Sequence, residues 1–218
     1  MIIVIDGPAG AGKSSTAKAV AQRTGLHLLD TGAFYRMAAL LFIREEYDLS
    51  RLLKQLEEAE LQANISGNQL HFTINGEDVT ALIRSAEVSA QVSKVAANAE
   101  VREQVNQRLR PITRKGDFIA EGRDLGTVVF PEADLKFWMT ANLEERARRR
   151  AAEMGEGSDL ETIRANILER DRIDSQRDTA PLVRADDAID IDTSILSFDE
   201  QVEFILSHYR QLQTKLKP

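Results

Sequence analysis

Apolar and polar positions along the chain fall into two repeating patterns. Ile2–Ile5 is a short, mostly β-branched run, as expected of a strand buried on both faces. Ser14–Thr24 carries apolar residues at helical spacing, and Leu26–Leu29 is a second short run that ends at Asp30-Thr31-Gly32. Ala33–Arg44 predicts a helix with Phe34, Met37, Leu40 and Leu41 on one stripe, with Thr31 placed to cap it. Ser50–Glu60 predicts a more polar helix capped by Ser50. The pattern then changes to short alternating pieces, Leu61–Ser66, Gln69–Ile74 and Glu77–Val79, separated by Gly67-Asn68 and Asn75-Gly76. Asn-Gly between alternating runs is a strong hairpin signal, so a small antiparallel sheet is expected. Two helices follow, Ser85–Ala97 and Asn98–Leu109, with Pro111 closing the second.

The strand–helix alternation returns at Phe118–Ala120, which leads into Glu121-Gly122-Arg123-Asp124, and continues with Leu135–Met139. Asn142–Glu145 reads as a capping box for an arginine-rich helix, broken at Gly155-Glu156-Gly157. Ser158–Glu161 caps a further helix running to about Asp178, with Pro181 just beyond. Ala188–Ile191 supplies a last strand, and Ser197–Glu200 caps the C-terminal helix. The expectation is an α/β fold: a parallel sheet flanked by helices, interrupted by an inserted β-then-α block.

Gly7-Pro8-Ala9-Gly10-Ala11-Gly12-Lys13-Ser14, between the first strand and the first helix, fits the phosphate-loop pattern. Glycines let backbone N–H groups turn around phosphate oxygens, and the helix start at Ser14-Ser15 adds partial positive charge. Lys13 can then reach the β- and γ-phosphates of a nucleoside triphosphate, and the Ser14 hydroxyl can ligate Mg²⁺. Lys13 is expected to face solvent.

Glu121 stands at a strand end, where open α/β sheets bind ligands, and is the candidate to hold Mg²⁺ through water. Gly122 permits close backbone approach, and Arg123 is a natural phosphate fork. Arg146, Arg149 and Arg150 share one helical face, as do Arg170, Asp174 and Arg177 on the next helix. Two readings stay open: a solvated face with ordinary Glu–Arg pairs, or a mobile lid that neutralises transferring phosphates. Thr31, Tyr35 and Arg36 equally admit a cap-and-core reading or a place at a second phosphate.

Composition narrows the chemistry. A net charge of −7 gives no global positive field for nucleic acid or anionic membranes. The absence of cysteine excludes disulfides, thiolate metal sites and a cysteine nucleophile. The chain enters its first strand at once and has no apolar run near a membrane span, so the cytoplasm is the expected compartment.

IDGPAGAGKSS, LLDTGAFYR, GEDVTALIRSAEVS, EGRDLGTVVFPEA, ERARRR, ERDRIDSQRDTAPL and DDAIDIDTS occur in that order from Ile5 to about Ser194. With these pieces the chain resembles the cytidylate kinases, a family of nucleoside monophosphate kinases. The resemblance implies a P-loop core with a five-stranded parallel sheet, an enlarged monophosphate-binding subdomain and a short helical lid. The corresponding segments are core 1–30, 111–145 and 180–218, monophosphate subdomain 31–110, and lid 146–179.

It further implies Mg²⁺- and ATP-dependent transfer of a phosphoryl group to CMP or dCMP; a monomer is expected, though the sequence itself does not fix the oligomeric state. Thr31, Tyr35 and Arg36 would wall the monophosphate site, with Arg36, Arg123 and Arg177 on the acceptor phosphate. Arg170 and Asp174 would hold the sugar, and Ser93, Arg102 and Asp124 would face the cytosine edge. Lys13, Arg149 and Arg150 would stabilise charge on the transferring group. Thr31 and Glu121 stand where some relatives carry Ser and Asp, changes that keep the hydroxyl and the charge. The alternatives are a P-loop kinase for another small acceptor, such as UMP or a hydroxyl compound, and a nucleotide-dependent switch protein. An N-K-x-D-like guanine-reading motif is absent, which counts against the switch.

Overall fold

The computed structural model of the chain describes residues 1–66, 69–112, 116–154 and 159–216. Its elements run β1 (Ile2–Asp6), α1 (Lys13–Thr24), β2 (His27–Asp30), α2 (Thr31–Arg44) and α3 (Leu49–Glu58). Then come β3 (Leu61–Ser66), β4 (Gln69–Ile74), β5 (Glu77–Asp78), α4 (Ala86–Ala97) and α5 (Ala99–Ile112). β6 (Phe118–Gly122), β7 (Leu135–Thr140), α6 (Leu143–Met154), α7 (Leu160–Gln176), β8 (Ile189–Asp192) and α8 (Phe198–Leu216) complete the chain. Two compact units result: Met1–Asp30 with Lys115–Pro218, and Thr31–Arg114.

The larger unit holds a five-stranded parallel sheet in the order β2-β6-β1-β7-β8. β1 lies at its centre because Ile3, Val4 and Ile5 have no exposed surface and bury both faces of the strand. Ile3 and Ile5 pack with Val20, Ile119, Phe137, Met139 and Ile205, and each such side chain stabilises the fold by about 1.5–3 kcal/mol. Register places Asp6 opposite Gly122 and Asp30 opposite Glu121, so three carboxylates collect at one sheet edge. α6 and α7 close a separate small apolar cluster of Ala147, Ile163 and Ile167.

The smaller unit is built around α2. Phe34, Met37, Leu40 and Leu41 are buried as the stripe predicts, but so are Ala33, Tyr35, Ala38 and Ala39. A helix buried on nearly every side is a core element rather than an amphipathic cover. β3, β4 and β5 form the expected antiparallel sheet. Asn75 and Gly76 have φ of 51° and 83° and turn Ile74 back onto Glu77, the left-handed pair that a two-residue hairpin demands.

Several expected boundaries move. Asp48, not Ser50, caps α3, its carboxylate accepting from the Arg51 amide at 3.0 Å; a carboxylate two residues earlier reaches the first orphan donors. Asp159 caps α7 by accepting from the Thr162 amide, and Ser158, Gly155–Gly157 and Gly67-Asn68 lie outside the described residues. α7 ends at Gln176, and Thr31 is the first residue of α2 rather than its cap. Pro111 sits inside the last turn of α5, where its missing amide removes a bond only at a terminus that is already ending. Ser197 and Glu200 form the reciprocal capping box the sequence predicts.

Candidate active site

The phosphate loop joins β1 to α1. Gly7 is required for steric reasons: a Cβ there would lie 1.9 Å from the Met139 carbonyl oxygen. Lys13 is buried and donates from Nζ to the Pro8 carbonyl at 2.7 Å, so the expectation of a solvent-facing lysine is corrected. The loop backbone supplies its own acceptor and draws the long side chain inward. Burial, and next the Arg123 charge, pull the Lys13 ammonium down to about 7. Ser15 bonds back to the Gly12 carbonyl at 2.9 Å.

Ser14 is exposed and donates to Glu121 Oε1 at 2.8 Å, bringing the loop hydroxyl and the strand-end carboxylate to one point. Burial, then repulsion from Asp30, push Glu121 up to about 7. A hydroxyl and a single carboxylate fit Mg²⁺ carried by a nucleotide, because that ion takes one or two carboxylates and completes its shell with phosphate oxygens and water. Among the described residues no group of three or more acidic or His ligands forms an all-protein metal cage.

The arginines of α6 separate by role. Arg146 donates to the Ala9 carbonyl at 3.2 Å and pairs with Asp171. Arg149 donates to the Ala11 carbonyl at 3.3 Å, to Thr193 and to Glu145. Both therefore grip the phosphate loop, whereas Arg150 pairs with Glu153 at 2.8 Å and Arg148 faces solvent with Glu145. Asp171 accepts from the Ala9 amide at 3.2 Å, and Thr193 donates to the Ala11 carbonyl at 2.9 Å. Sequence reading missed these two; the signal available was their place inside ERDRIDSQRDTAPL and DDAIDIDTS.

Beside the loop stand two ion pairs. Arg123 Nε donates to Asp174 at 3.1 Å, and Arg177 Nη2 to Asp124 at 3.0 Å, with Asp124, Asp174 and Arg177 all buried. Arg177 is also held through Nε by the Ala180 carbonyl. Gly122 is the buried last residue of β6, and Arg170 is half-buried on α7. Asp6, absent from the sequence-predicted set, is buried at the end of β1 and accepts from the Leu125 and Gly126 amides. Burial pushes it up to about 6 against the pull of those two amides.

In the smaller unit, Tyr35 donates to Asn106 Oδ1 at 3.1 Å, and the Arg102 guanidinium lies 5.2 Å from the Tyr35 ring centroid. Arg36 donates to Ser89 at 2.8 Å. Thr31, Ser93 and Arg102 are buried. Asn106 is a further buried polar residue that the sequence reading did not single out.

A sequence profile described as cytidylate kinase matches residues 3–211. The cytidylate kinase of Desulforamulus reducens is 46% identical, the match covering 94% of this chain and 95% of that protein. That of Geobacillus sp. is 43% identical over 94% of each. A bifunctional pantoate ligase/cytidylate kinase of Synechococcus sp. is 42% identical, with 96% of this chain matching 45% of the longer protein. Among solved structures, shikimate kinase from Bacteroides thetaiotaomicron is similar with TM-score 0.51 and 12% identity, covering 96% of this chain and 98% of that one. An uncharacterized protein from Eubacterium ventriosum gives TM-score 0.54 and 13% identity, covering 97% and 98%. At such identities the two structures share the fold alone.

Proposed function

The chain belongs to the cytidylate kinase family, and from that premise we propose how its residues carry the reaction. It is a phosphotransferase that phosphorylates CMP or dCMP with ATP, giving CDP or dCDP and ADP. The carrying observation is the Ser14–Glu121 hydrogen bond at the mouth of a phosphate loop gripped by Arg146 and Arg149. The backbone amides of the 7–15 loop, of which Pro8 has none, cradle the ATP phosphates, and Lys13 exchanges the Pro8 carbonyl for a phosphate oxygen. Ser14 would hold Mg²⁺ directly and Glu121 through water; the ion, when bound, neutralises charge on the phosphate oxygens.

Transfer is direct and in line. An oxygen of the acceptor phosphate bonds to the γ-phosphorus as the bond to the β,γ-bridging oxygen breaks, and ADP leaves without a covalent enzyme intermediate. Lys13, Arg149 and Arg150 stabilise the charge in transit. Arg123 and Arg177 take the acceptor phosphate, Gly122 allows close approach, and Arg170 with Asp174 holds the sugar. The Asp124 carboxylate accepts from the cytosine 4-amino group and repels the uracil carbonyl. In the smaller unit, Thr31, Tyr35 and Arg36 bind the monophosphate, and Ser93 and Arg102 the base.

We place the reaction in the cytoplasm, with nucleotides rather than nucleic acid or membrane as partners and the protein acting as a monomer. The cysteine-free composition supports the compartment and the net charge of −7 the choice of nucleotides over nucleic acid, and among the described residues no helix is long and apolar enough to cross a membrane. A screen of nucleoside monophosphates with ATP and Mg²⁺ tests it. CMP and dCMP should stimulate ADP release far more than UMP or AMP. ADP release that is independent of any acceptor would instead mark a hydrolytic switch.

A further inference from the structure

Leu125–Val129 forms a single π-helical turn directly after Arg123 and Asp124. Asp124 occupies the capping position: its carbonyl accepts from the Val128 and Val129 amides at 2.9 and 3.3 Å. An aspartate in that position ordinarily folds its own carboxylate onto the first free amides of the turn. This one makes no such bond, and its Oδ1 instead accepts from Arg177 at 3.0 Å.

The Gly126 amide, one of the two that a side chain in this position caps, is occupied from another strand, as is the Leu125 amide before it. Asp6 Oδ1 accepts from Leu125 N at 3.0 Å and Asp6 Oδ2 from Gly126 N at 2.7 Å. Gly126 leaves room for that approach, since an added Cβ would lie 3.4 Å from Asp6 Oδ2 and 3.1 Å from the Lys136 side chain. Leaving two buried amides unsatisfied is costly, so only one of two carboxylates needs to serve them. Asp6 serves them, and the Asp124 carboxylate pairs with Arg177.

We propose that Asp6 is a positioning residue for acceptor recognition: by capping the Leu125–Gly126 turn from β1 it leaves the Asp124 carboxylate to Arg177 and the base. Asp6 touches no substrate; it acts through Asp124. It also ties the strand that carries the phosphate loop to the segment that carries the acceptor groups. The inference rests on the reading of Asp124 and Arg177 as acceptor-binding residues.

In Asp6→Asn, one amide oxygen replaces two acceptors and an NH₂ meets the second donor. Asp124 then swings to its local cap and abandons Arg177. The test is steady-state kinetics on Asp6→Asn, Asp124→Asn and the double variant, with CMP, UMP and ATP each varied. For Asp6→Asn, KM for CMP should rise about tenfold and the CMP-to-UMP ratio of kcat/KM should fall, while KM for ATP stays within about twofold. The double variant should have nearly the ratio of Asp124→Asn alone, the non-additivity of residues acting as one unit. Should Asp6→Asn lack the wild-type circular dichroism spectrum, Asp6→Glu, whose longer stem carries both oxygens past the Leu125 and Gly126 amides, should show the same selective rise in KM for CMP. Equal changes for both substrates, or additive effects in the double variant, overturn the proposal. A ratio lowered by Asp124→Asn but untouched by Asp6→Asn overturns it alone; a ratio untouched by Asp124→Asn overturns the underlying reading of Asp124 as well.

Discussion

Two regions of the larger unit meet the phosphate loop, and they are built on opposite plans. At the sheet edge, Asp6, Asp30 and Glu121 are short side chains whose positions follow from strand register. Asp6 and Glu121 are buried, and that burial pushes them up to about 6 and about 7, so this edge favours a cation or a proton. On α6 the groups are long arginines, and Arg146 and Arg149 already bind the loop carbonyls of Ala9 and Ala11. The edge is fixed by backbone geometry, while the helix face is fixed by exchangeable partners. In the proposed reaction this difference divides the labour: the edge would place the metal and the loop, and the arginines would meet the phosphates.

Lys13 lies where the two plans meet, so its loss should be the largest effect. Lys13→Ala should lower kcat by about a thousandfold, the scale of removing a preorganised charge from a transferring group, with the circular dichroism spectrum retained. Near-normal turnover in the folded variant would break the comparison at its centre. Next in size is Arg177→Ala. Losing a charge-assisted contact should raise KM for CMP by roughly one to two decades with KM for ATP almost unchanged. Its melting temperature should also fall, because Asp124 is left buried without its guanidinium partner.

The sheet edge predicts the opposite sign for stability. Asp6 and Glu121 titrate higher in the folded protein than in the unfolded chain, so the stability they contribute is full below about pH 4. It is lost as pH rises towards 6 for Asp6 and 7 for Glu121. Glu121→Gln should therefore abolish most activity yet raise the melting temperature of the nucleotide-free protein at pH 8. Thermal melts between pH 4.5 and 8 check this; a variant less stable than wild type at pH 8 would contradict it. The smallest effect is expected on the outer side of α6. Arg148 is 70% exposed and its only described ion pair is with Glu145, so Arg148→Ala should leave the melting temperature close to that of the wild type. Turnover should stay close to wild type.

The legible part of the fold was the part written in local pattern. Ile2–Ile5, the glycine-rich loop and Asn75-Gly76 each carry their geometry in adjacent residues, and each appears where expected. Asp48 against Ser50 shows the limit: two good caps lie two residues apart, and only the placement of the Arg51 amide decides between them. In the site, Ser14 and Glu121 could be named because motif and strand end announce them. Asp6, Asp171 and Thr193 could not, because each works on backbone groups more than a hundred positions away in sequence. The reading of Lys13 failed for a related reason: a lysine in a glycine-rich loop looks exposed until the loop's own carbonyl is seen to hold it.

Gly7 has a consequence for heredity as well as for chemistry. Any side chain there must displace the Met139 carbonyl near the end of β7, so every missense change in that codon should vanish from a pooled selection for growth dependent on this enzyme. Gly25, at the end of α1, also has a left-handed φ of 78°, yet a Cβ there meets nothing within 4 Å. An asparagine should survive at that position, with a cost of about 1 kcal/mol or less. Two codons for the same residue would thus leave opposite traces in a library of variants, one a strict void and the other a narrow tolerance.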